Sequence, residues 1–360
     1  MPKIVLTGGG TAGHVTPNIA LIPTLRSMGY EIEYIGSKTG IEKRLIENQG
    51  IPYHEISSGK LRRYASVKNL SDPFRIMKGY NEAKKLLDKI KPDIVFSKGG
   101  YVSVPVVYAA AKKKIPAIIH ESDITPGLAN KLCFKKSEKI CCNFPETLEY
   151  LPAGKAVLTG SPIRSELFSG ARSAGLRLCG FDGSKPVVMV IGGSLGAVSV
   201  NNQVRQALPG LLQNFNVAHI CGKGNLDPAL QGTSGYVQFE YVQSDLRHLF
   251  ACSDIVISRA GANAICELLA LKKPALLIPL PSSGSRGDQL LNAASFEKQG
   301  FSLLLHEEDM NDETFIAAVK ELYVKSDELT AAMKNAPASD AVKTITSLID
   351  DTVFNRRSGS

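Results

Sequence analysis

The second half of this chain repeats the first, segment by segment and in the same order. Ile4-Val5-Leu6-Thr7-Gly8-Gly9-Gly10-Thr11-Ala12-Gly13 is matched by Val187-Val188-Met189-Val190-Ile191-Gly192-Gly193-Ser194-Leu195-Gly196-Ala197. Asp93-Ile94-Val95-Phe96-Ser97-Lys98-Gly99-Gly100 is matched by Asp254-Ile255-Val256-Ile257-Ser258-Arg259-Ala260-Gly261, and Ile115-Pro116-Ala117-Ile118-Ile119 by Lys273-Pro274-Ala275-Leu276-Leu277. One match of this kind carries little weight. Three in order point to two similar α/β domains facing each other, with a cleft that holds a nucleotide on one wall and its reaction partner on the other.

Length agrees with that division, because 360 residues exceed what a single core usually covers. With 44% hydrophobic and 21% charged residues the composition is that of an ordinary soluble protein. Met1 to Lys3 lead straight into the apolar run Ile4 to Leu6, without the charged region, long apolar stretch and cleavage site of a secretion signal. Apolar stretches such as Val104 to Ala111 fall well short of the roughly 18 residues that read as a membrane span. The seven cysteines are scattered and form no CxxC pair, which predicts reduced, mostly buried thiols in a cytosolic protein.

The net charge of +8 is concentrated. Between Lys60 and Lys91 stand ten Lys and Arg against three Asp and Glu, a local excess of +7. Leu61, Tyr64, Val67, Leu70, Phe74, Ile76 and Met77 are interleaved with the basic residues. Tyr80 to Ile90 reads as a solvated helix with its apolar side on its own core. From Lys60 to Met77, where periodicity is poor, the pattern suits attachment to an anionic membrane surface as well as it suits a core-facing segment. Nucleic acid is not an expected partner, since no recognisable binding module accompanies the patch.

Strands alternate with helices along the chain, which argues for βαβ units and parallel sheets. The first half reads as strand Ile4 to Leu6, helix Pro17 to Met28, strand Glu31 to Ile35, helix Gly40 to Gln49, strand Pro92 to Phe96, helix Pro105 to Lys113 and strand Ala117 to His120. A boundary near Thr159 to Arg164 precedes strands at Val187, Val217 to Cys221, Gln238 to Val242, Ile255 to Ser258 and Ala275 to Pro279. Asp312 to Asp327 and Asp340 to Phe354 read as helices. The tail Arg356 to Ser360 is expected outside the folded body, as a disordered end or an appended remnant. Ligands of such sheets gather beyond the carboxyl ends of the strands, where Gly8 to His14, Gly99 to Ser103 and His120 to Asp123 fall.

The loop Gly8 to His14 lies between a strand and a helix, where glycines let backbone N–H groups approach a phosphate and the helix N-terminus adds positive partial charge. It is neither a Walker A loop nor a clean GxGxxG, although Glu31 and Glu33 stand about 20 residues on, so a dinucleotide site stays open. His14, at the loop–helix junction, is expected neutral beside the helix end, and a neutral imidazole in a cleft can act as a general base. The alternative is a histidine that hydrogen-bonds and packs. Glu267, about a turn and a half into the helix after Gly261, can either take both hydroxyls of a ribose or complement the helix dipole. Ser285 to Asn292 can supply amide contacts to a sugar or be an ordinary loop entering a helix. His219, His248 and His306 lack metal-ligand spacing, and no metal cluster stands out.

As a set, Gly9 to His14, Gly99-Gly100-Tyr101-Val102-Ser103, His120-Glu121, Gly160-Ser161-Pro162-Ile163-Arg164, Gly192 to Ala197, Arg259 to Glu267 and Gln289 resemble glycosyltransferase family 28, over roughly residues 3 to 350. The resemblance implies the GT-B fold, two Rossmann-like domains with parallel sheets facing a deep cleft. Its parts would be an acceptor- and membrane-facing domain at 1–162, a donor domain at 163–339, and a C-terminal helix at 340–356 packing back on the first domain. The implied reaction is inverting transfer of N-acetylglucosamine from UDP-N-acetylglucosamine to the 4-hydroxyl of undecaprenyl-linked N-acetylmuramoyl-pentapeptide, in peptidoglycan synthesis on the cytoplasmic side of the cell membrane.

The resemblance also implies roles for residues. His14 would be the general base. Ser194 and its loop would meet the donor diphosphate, with Arg164 nearby. The Val242 backbone would bind uracil. Ala262, Asn263, Ala264, Ile265, Cys266 and Glu267 would hold phosphate and ribose, and Gln289 would touch the sugar, which Thr11, Ala12, Gly13 and Asp123 border. Gly9, Gly10, Gly99, Gly100, Tyr101 and Ser103 would cradle the acceptor pyrophosphate. No metal and no cofactor beyond the co-substrate is implied, since fixed N–H dipoles can stabilise the leaving diphosphate. The sequence departs from the family pattern at Ala12 (for Gly), at Ser122-Asp123 (for Gln-Asn) and at Asp288 (for Gln), which bears on the identity of the sugar and acceptor. Other readings are a transferase acting on a lipid such as diacylglycerol, a UDP-sugar epimerase of the same architecture, and a non-catalytic UDP-sugar-binding scaffold.

Overall fold

The computed structural model of the chain describes residues 1–59, 72–192, 196–282, 287–336 and 340–358. The chain divides into two compact units, one of Met1–Arg164 with Ser339–Ser360, the other of Ser165–Ala338. Each holds one parallel sheet, as the alternation of strands and helices predicts.

In the first unit the strands are β1 (Lys3–Thr7), β2 (Glu31–Ser37), β3 (Tyr53–Ile56), β4 (Ile94–Ser97), β5 (Ala117–Glu121), β6 (Lys139–Cys142) and β7 (Ala156–Leu158). They lie in the order β3-β2-β1-β4-β5-β6-β7. β1 pairs with β2 on one side and β4 on the other, with Thr7 opposite Ile35 and Ser97. The chain therefore reverses its direction of winding between β1 and β4, and the loops leaving those two strands meet at the switch point, where Rossmann-like sheets bind their ligands.

The pleat explains why these strands read as unbroken apolar runs. Ile4 and Leu6 face one core with Ile94 and Phe96, while Val5 and Val95 face the other. Both faces are covered by helices, so both sets of side chains must be apolar. The helix Thr16–Ser27 covers the first face together with the C-terminal helix Ala341–Ser358, through Leu21, Leu25, Ile345, Ile349 and Val353. Ala83, Leu87 and Ile90 of the helix Asp72–Ile90 join the second core with Val106 and Val107. The core-facing reading of Tyr80 to Ile90 is thus the observed one.

One expectation is corrected at the C-terminus. The last helix runs on to Ser358, so Arg356–Ser358 belongs to the folded body. Arg357 lies 2.9 Å from Asp93, and Asp350 accepts a 2.9 Å hydrogen bond from Tyr30. An exposed, polar sequence read locally gives no sign of this docking, which depends on partners far back in the chain.

The second unit repeats the design with β8 (Val187–Ile191), β9 (Asn216–Ile220), β10 (Tyr236–Phe239), β11 (Ile255–Ser258), β12 (Ala275–Leu277) and β13 (Ser302–Leu304), in the order β10-β9-β8-β11-β12-β13. Its switch point lies between β8 and β11. Val188, Val190, Val217, Ile255, Ile257 and Leu276 pack against the helices Val198–Leu211 and Asp312–Val324. The stretch expected as one helix from Asp312 to Asp327 is two, the second being Ser326–Asn335. Strand β10 ends at Phe239, which leaves Val242 in the loop beyond it.

Of the seven cysteines, Cys133, Cys141, Cys142, Cys179, Cys221 and Cys252 are buried thiols outside any disulfide, and Cys266 is half-buried. Burial pushes the Cys133 and Cys141 thiols up to about 12. His219 is a core residue of the second unit. Its Nε2 donates to Asn201 Oδ1 at 2.9 Å, so its Nδ1 accepts from the Tyr236 hydroxyl at 2.9 Å. Burial first, and Arg205 second, bring its pKa down from 6.5 to about 3.

That histidine makes stability depend on pH. Below about pH 6.5 the unfolded chain binds a proton that the native chain refuses, so stability falls on acidification through the window between about 6.5 and 3. Between pH 7 and pH 5 this one group removes about 2 kcal/mol. Urea unfolding at the two pH values is expected to give His219→Gln a loss smaller than that of the unaltered chain by about this amount; equal losses would count against the assignment.

Candidate active site

In the first unit the site begins with the loop leaving β1. Gly8 and Gly9 are buried, Gly10 and Thr11 are exposed, and a single helical turn, Ala12–His14, leads into the helix Thr16–Ser27. The loop leaving β4 runs against it. Gly100 has φ +84°, and a Cβ there would overlap the carbonyl oxygen of Gly9. Two backbones therefore pass in direct contact, which side chains at these positions would prevent. Tyr101 lies over Gly10, whose Cβ position is 2.7 Å from the Tyr101 ring. Ser103 is buried, and its hydroxyl donates to the Gly99 carbonyl at 2.7 Å, so it braces the second loop from within.

His14 is half-buried at the end of the turn, with Nδ1 3.1 Å from the Thr11 hydroxyl. Thr11, Gly13 and His14 share one short stretch at the carboxyl edge of the sheet. Ala12 belongs to that turn as well.

The carboxyl end of β5 is built from buried polar groups. Glu121 accepts the amides of Ser122 at 2.8 Å, Asp123 at 3.1 Å and Gly127 at 3.0 Å, and the Asn130 side-chain amide at 2.8 Å. Its carboxylate is thereby committed to shaping the turn that carries Asp123. His120 is fully buried, and its Nε2 donates to the Gly160 carbonyl at 3.0 Å. Its Nδ1 therefore accepts from Lys98 Nζ at 2.8 Å. Burial first, and the Lys98 charge second, hold its pKa well below 6.5, so the ring is neutral at physiological pH.

Two buried charged residues of this region, Glu42 and Lys98, do not emerge as functional from the sequence. Glu42 accepts the Ser37 amide at 3.1 Å and the Gly10 amide at 3.4 Å, and also the Ser37 hydroxyl. Ser37 in turn pairs with the Tyr101 hydroxyl, whose pKa is raised by burial. One carboxylate thus ties the turn after β2 to both glycine loops. Its sequence signal, an acid in the first turn of a helix, is too common to single it out. Lys98 is 1% exposed. The internal repeat does mark it, by setting it opposite Arg259.

In the second unit β8 ends at Ile191, Gly192 follows it, and Gly193, Ser194 and Leu195 lie outside the described residues. Gly196 has φ +78° and leads to the helix Val198–Leu211. The loop leaving β11 reaches Gly261, the N-cap of the helix Ala262–Ala270, with extended backbone (φ −67°, ψ +134°). A Cβ built on Gly261 meets nothing within 4 Å, so the approach to the first helical turn is open. Helical spacing sorts the six residues from Ala262 to Glu267. Ala262 and Ile265 point into the core, whereas Asn263, Ala264, Cys266 and Glu267 are half-buried on the other faces. Asn263 and Glu267, four apart, share one side of the helix.

Gln289 stands in the first turn of the helix Asp288–Lys298, and its Oε1 accepts the Leu280 amide at 3.1 Å. Asn292 is fully buried and donates to the Ala260 carbonyl at 3.2 Å, which joins this helix to the loop after β11. Ser285 and Arg286 lie outside the described residues. Val242 is half-buried beyond β10, and Arg164 is the half-buried last residue of the first segment of unit one. Among the described residues, no group of three or more His, Cys, Asp or Glu is arranged to hold a metal ion.

Comparison with known proteins agrees with this build. The family model "Glycosyltransferase family 28 N-terminal domain" matches residues 4–142, and "Glycosyltransferase family 28 C-terminal domain" matches residues 187–349. The chain is 65% identical over 351 residues to a protein of Lachnospira eligens, covering 98% of this chain and 99% of that one. That relative is named UDP-N-acetylglucosamine--N-acetylmuramyl-(pentapeptide) pyrophosphoryl-undecaprenol N-acetylglucosamine transferase. A protein of the same name from Lachnoclostridium phytofermentans is 62% identical, over 98% of this chain and 99% of that one. Among solved structures, MurG of Acinetobacter baumannii superposes with a TM-score of 0.78 at 25% identity, over 98% of this chain and all of the other. The calicheamicin glycosyltransferase CalG4, at 13% identity and a TM-score of 0.70 over 98% of each chain, shares the fold. With both domain models matched in order and relatives this similar along its length, the chain belongs to glycosyltransferase family 28.

Proposed function

We propose that this chain transfers N-acetylglucosamine from UDP-N-acetylglucosamine to the 4-hydroxyl of undecaprenyl-pyrophosphoryl-N-acetylmuramoyl-pentapeptide, with inversion at the anomeric carbon. The observation that carries the reading is the full-length identity to relatives named for this transfer. Diacylglycerol transfer and a non-catalytic scaffold have no comparable support.

In this reading the second unit holds the donor. The open N-terminus of the helix Ala262–Ala270 offers backbone amides and a positive dipole end to the diphosphate, and Glu267 takes the ribose hydroxyls. Ala262 and Ile265 act through their backbone alone, because their side chains are in the core. Ser194 and Arg164 add to the diphosphate contacts, and the Val242 backbone meets uracil. Gln289, its Oε1 already engaged, presents its side-chain NH2 to the sugar.

The first unit takes the acceptor diphosphate on the paired loops at Gly9-Gly10 and Gly99-Gly100, with Tyr101 beside them. When His14 Nδ1–H donates to the Thr11 hydroxyl, Nε2 carries the lone pair that removes the proton from the attacking 4-hydroxyl. The new bond forms at the anomeric carbon as its bond to the UDP oxygen breaks. The charge that develops on UDP is met by fixed N–H dipoles.

Attachment to an anionic membrane surface fits the start of the helix Asp72–Ile90. Phe74 is 80% and Met77 61% exposed, with Arg75 and Lys78 beside them. Lys60 to Ser71, the remainder of the basic apolar stretch, lies outside the described residues. No described helix is long and apolar enough to cross a membrane.

Purified chain given labelled UDP-N-acetylglucosamine is expected to label the undecaprenyl-linked muramoyl-pentapeptide and not diacylglycerol; the opposite result, or UDP binding without transfer, rejects the reading. His14→Ala is expected to slow that transfer by about 10²–10⁴-fold with UDP affinity retained. Calorimetry is expected to find Glu267→Ala weaker for UDP by about 1.5–3 kcal/mol. Flotation with vesicles is expected to need anionic lipid and to weaken as salt shortens the Debye length below about 8 Å; equal flotation with neutral vesicles removes the electrostatic contribution.

A further inference from the structure

The repeat places a buried cation at the same point in both halves. Lys98 directly follows β4, and Arg259 directly follows β11. Each reaches sideways to the end of the neighbouring strand. Arg259 donates to the carbonyls of Ile278 at 3.1 Å and Pro279 at 3.3 Å, just past β12. Lys98 Nζ donates to His120 Nδ1 at 2.8 Å, on β5, and to the Ser122 hydroxyl just past it.

Lys98 is too deeply buried to touch a substrate, so its influence passes through its neighbours. On one side stands the turn after β5. Its backbone is fixed by Glu121 at the Ser122 and Asp123 amides, and by Asn143, which donates to the Ser122 carbonyl at 2.9 Å. The half-buried Asp123 is the residue next to the one that Lys98 holds. On the other side is the first glycine loop, since a Cβ on Gly8 would come within 3.3 Å of Lys98 Cβ. Burying an ammonium is costly unless its field and its hydrogen bonds are used. Here the ammonium is fixed on the turn that carries Asp123, and the base of the same side chain packs against the first glycine loop.

We propose that Lys98 is a positioning residue: it holds the Ser122–Asp123 turn and offsets the Asp123 charge, so that the glycine loops of the first unit accept the diphosphate of the lipid-linked acceptor. This rests on the transfer reaction proposed above. The dependence is on charge compensation, so the effect of losing Lys98 is reversed by also removing the Asp123 charge. A purely structural lysine would show no such reversal.

Steady-state kinetics with both substrates varied tests this in the full chain. Lys98→Met is expected to raise the acceptor KM by about tenfold or more while the donor KM stays within about twofold. Adding Asp123→Asn is expected to return the acceptor KM to within about threefold of the unaltered chain. An unchanged acceptor KM in Lys98→Met, a rise confined to the donor KM, or a double variant as impaired as the single one overturns the proposal. If Lys98→Met does not fold, Asp123→Asn alone decides: with one negative charge fewer beside the glycine loops, the acceptor KM is expected to fall about threefold or more, and an unchanged or higher value overturns the proposal. If the unaltered chain transfers no sugar, the function proposed above fails, and calorimetric titration with inorganic pyrophosphate reads the coupling instead. Weaker binding in Lys98→Met that Asp123→Asn restores supports the proposal, and equal binding in all three chains overturns it.

Discussion

The contact on which the first half of the molecule turns is that of one glycine backbone against another. At the switch point between β1 and β4, Gly100 lies so close to the Gly9 carbonyl that no side chain fits. The parallel sheet sends both loops out of the same edge, and the reversal of winding brings them side by side. The candidate site residues of the first unit lie along the edge where that contact sits: His14 one turn beyond the first loop, Tyr101 and Ser103 within and just after the second, and the turn at Asp123 after β5.

Buried polar groups hold this edge in shape. Glu121 uses its carboxylate on three backbone amides and one side-chain amide, Glu42 braces Ser37 and Gly10, and His120 is kept neutral between a carbonyl and a lysine. Carboxylates and imidazole inside a fold would be costly if left unsatisfied. Satisfied, they make the loops rigid, which a site built from backbone dipoles requires, since such dipoles act only when preorganised. The second unit uses Arg259 and Asn292 in a comparable way, to anchor the loop that leads to the open helix end at Gly261.

Most of the architecture is legible in the sequence because parallel strands are buried on both faces. Val187 to Ile191 and Ile255 to Ser258 can be recognised as strands from short apolar runs followed by a glycine at once in the first case and within three residues in the second, and the ordered repeat doubles the evidence. Element ends are less legible. β10 stops at Phe239, before Val242, and the helix expected to Asp327 breaks after Val324, because strand and helix limits depend on the neighbours that accept their hydrogen bonds. Of the candidate site residues, those in glycine loops and at helix starts can be read from local chemistry. That Ala262 and Ile265 face the core while Asn263 and Glu267 do not follows from helical phase, which is fixed only once the helix has a sheet to pack on.

By itself, the sequence determined two parallel α/β units, the glycine loops at their strand ends and the membership of glycosyltransferase family 28. The units and their loops follow from short-range patterns: apolar runs, glycine where backbone must approach backbone, and a helix start behind each loop; the family follows from the resemblance of the motif set from Gly9 to Gln289 as a whole. Tertiary structure alone decided that Lys98 is buried between His120 and Ser122, that Glu42 holds Gly10 directly and the second glycine loop by way of Ser37 and Tyr101, and that the last helix continues past Arg356 to set Arg357 against Asp93. Each of those contacts joins residues from different elements of the fold. Charge and polarity are visible in a sequence, but what a charge faces is known only when the chain has folded around it.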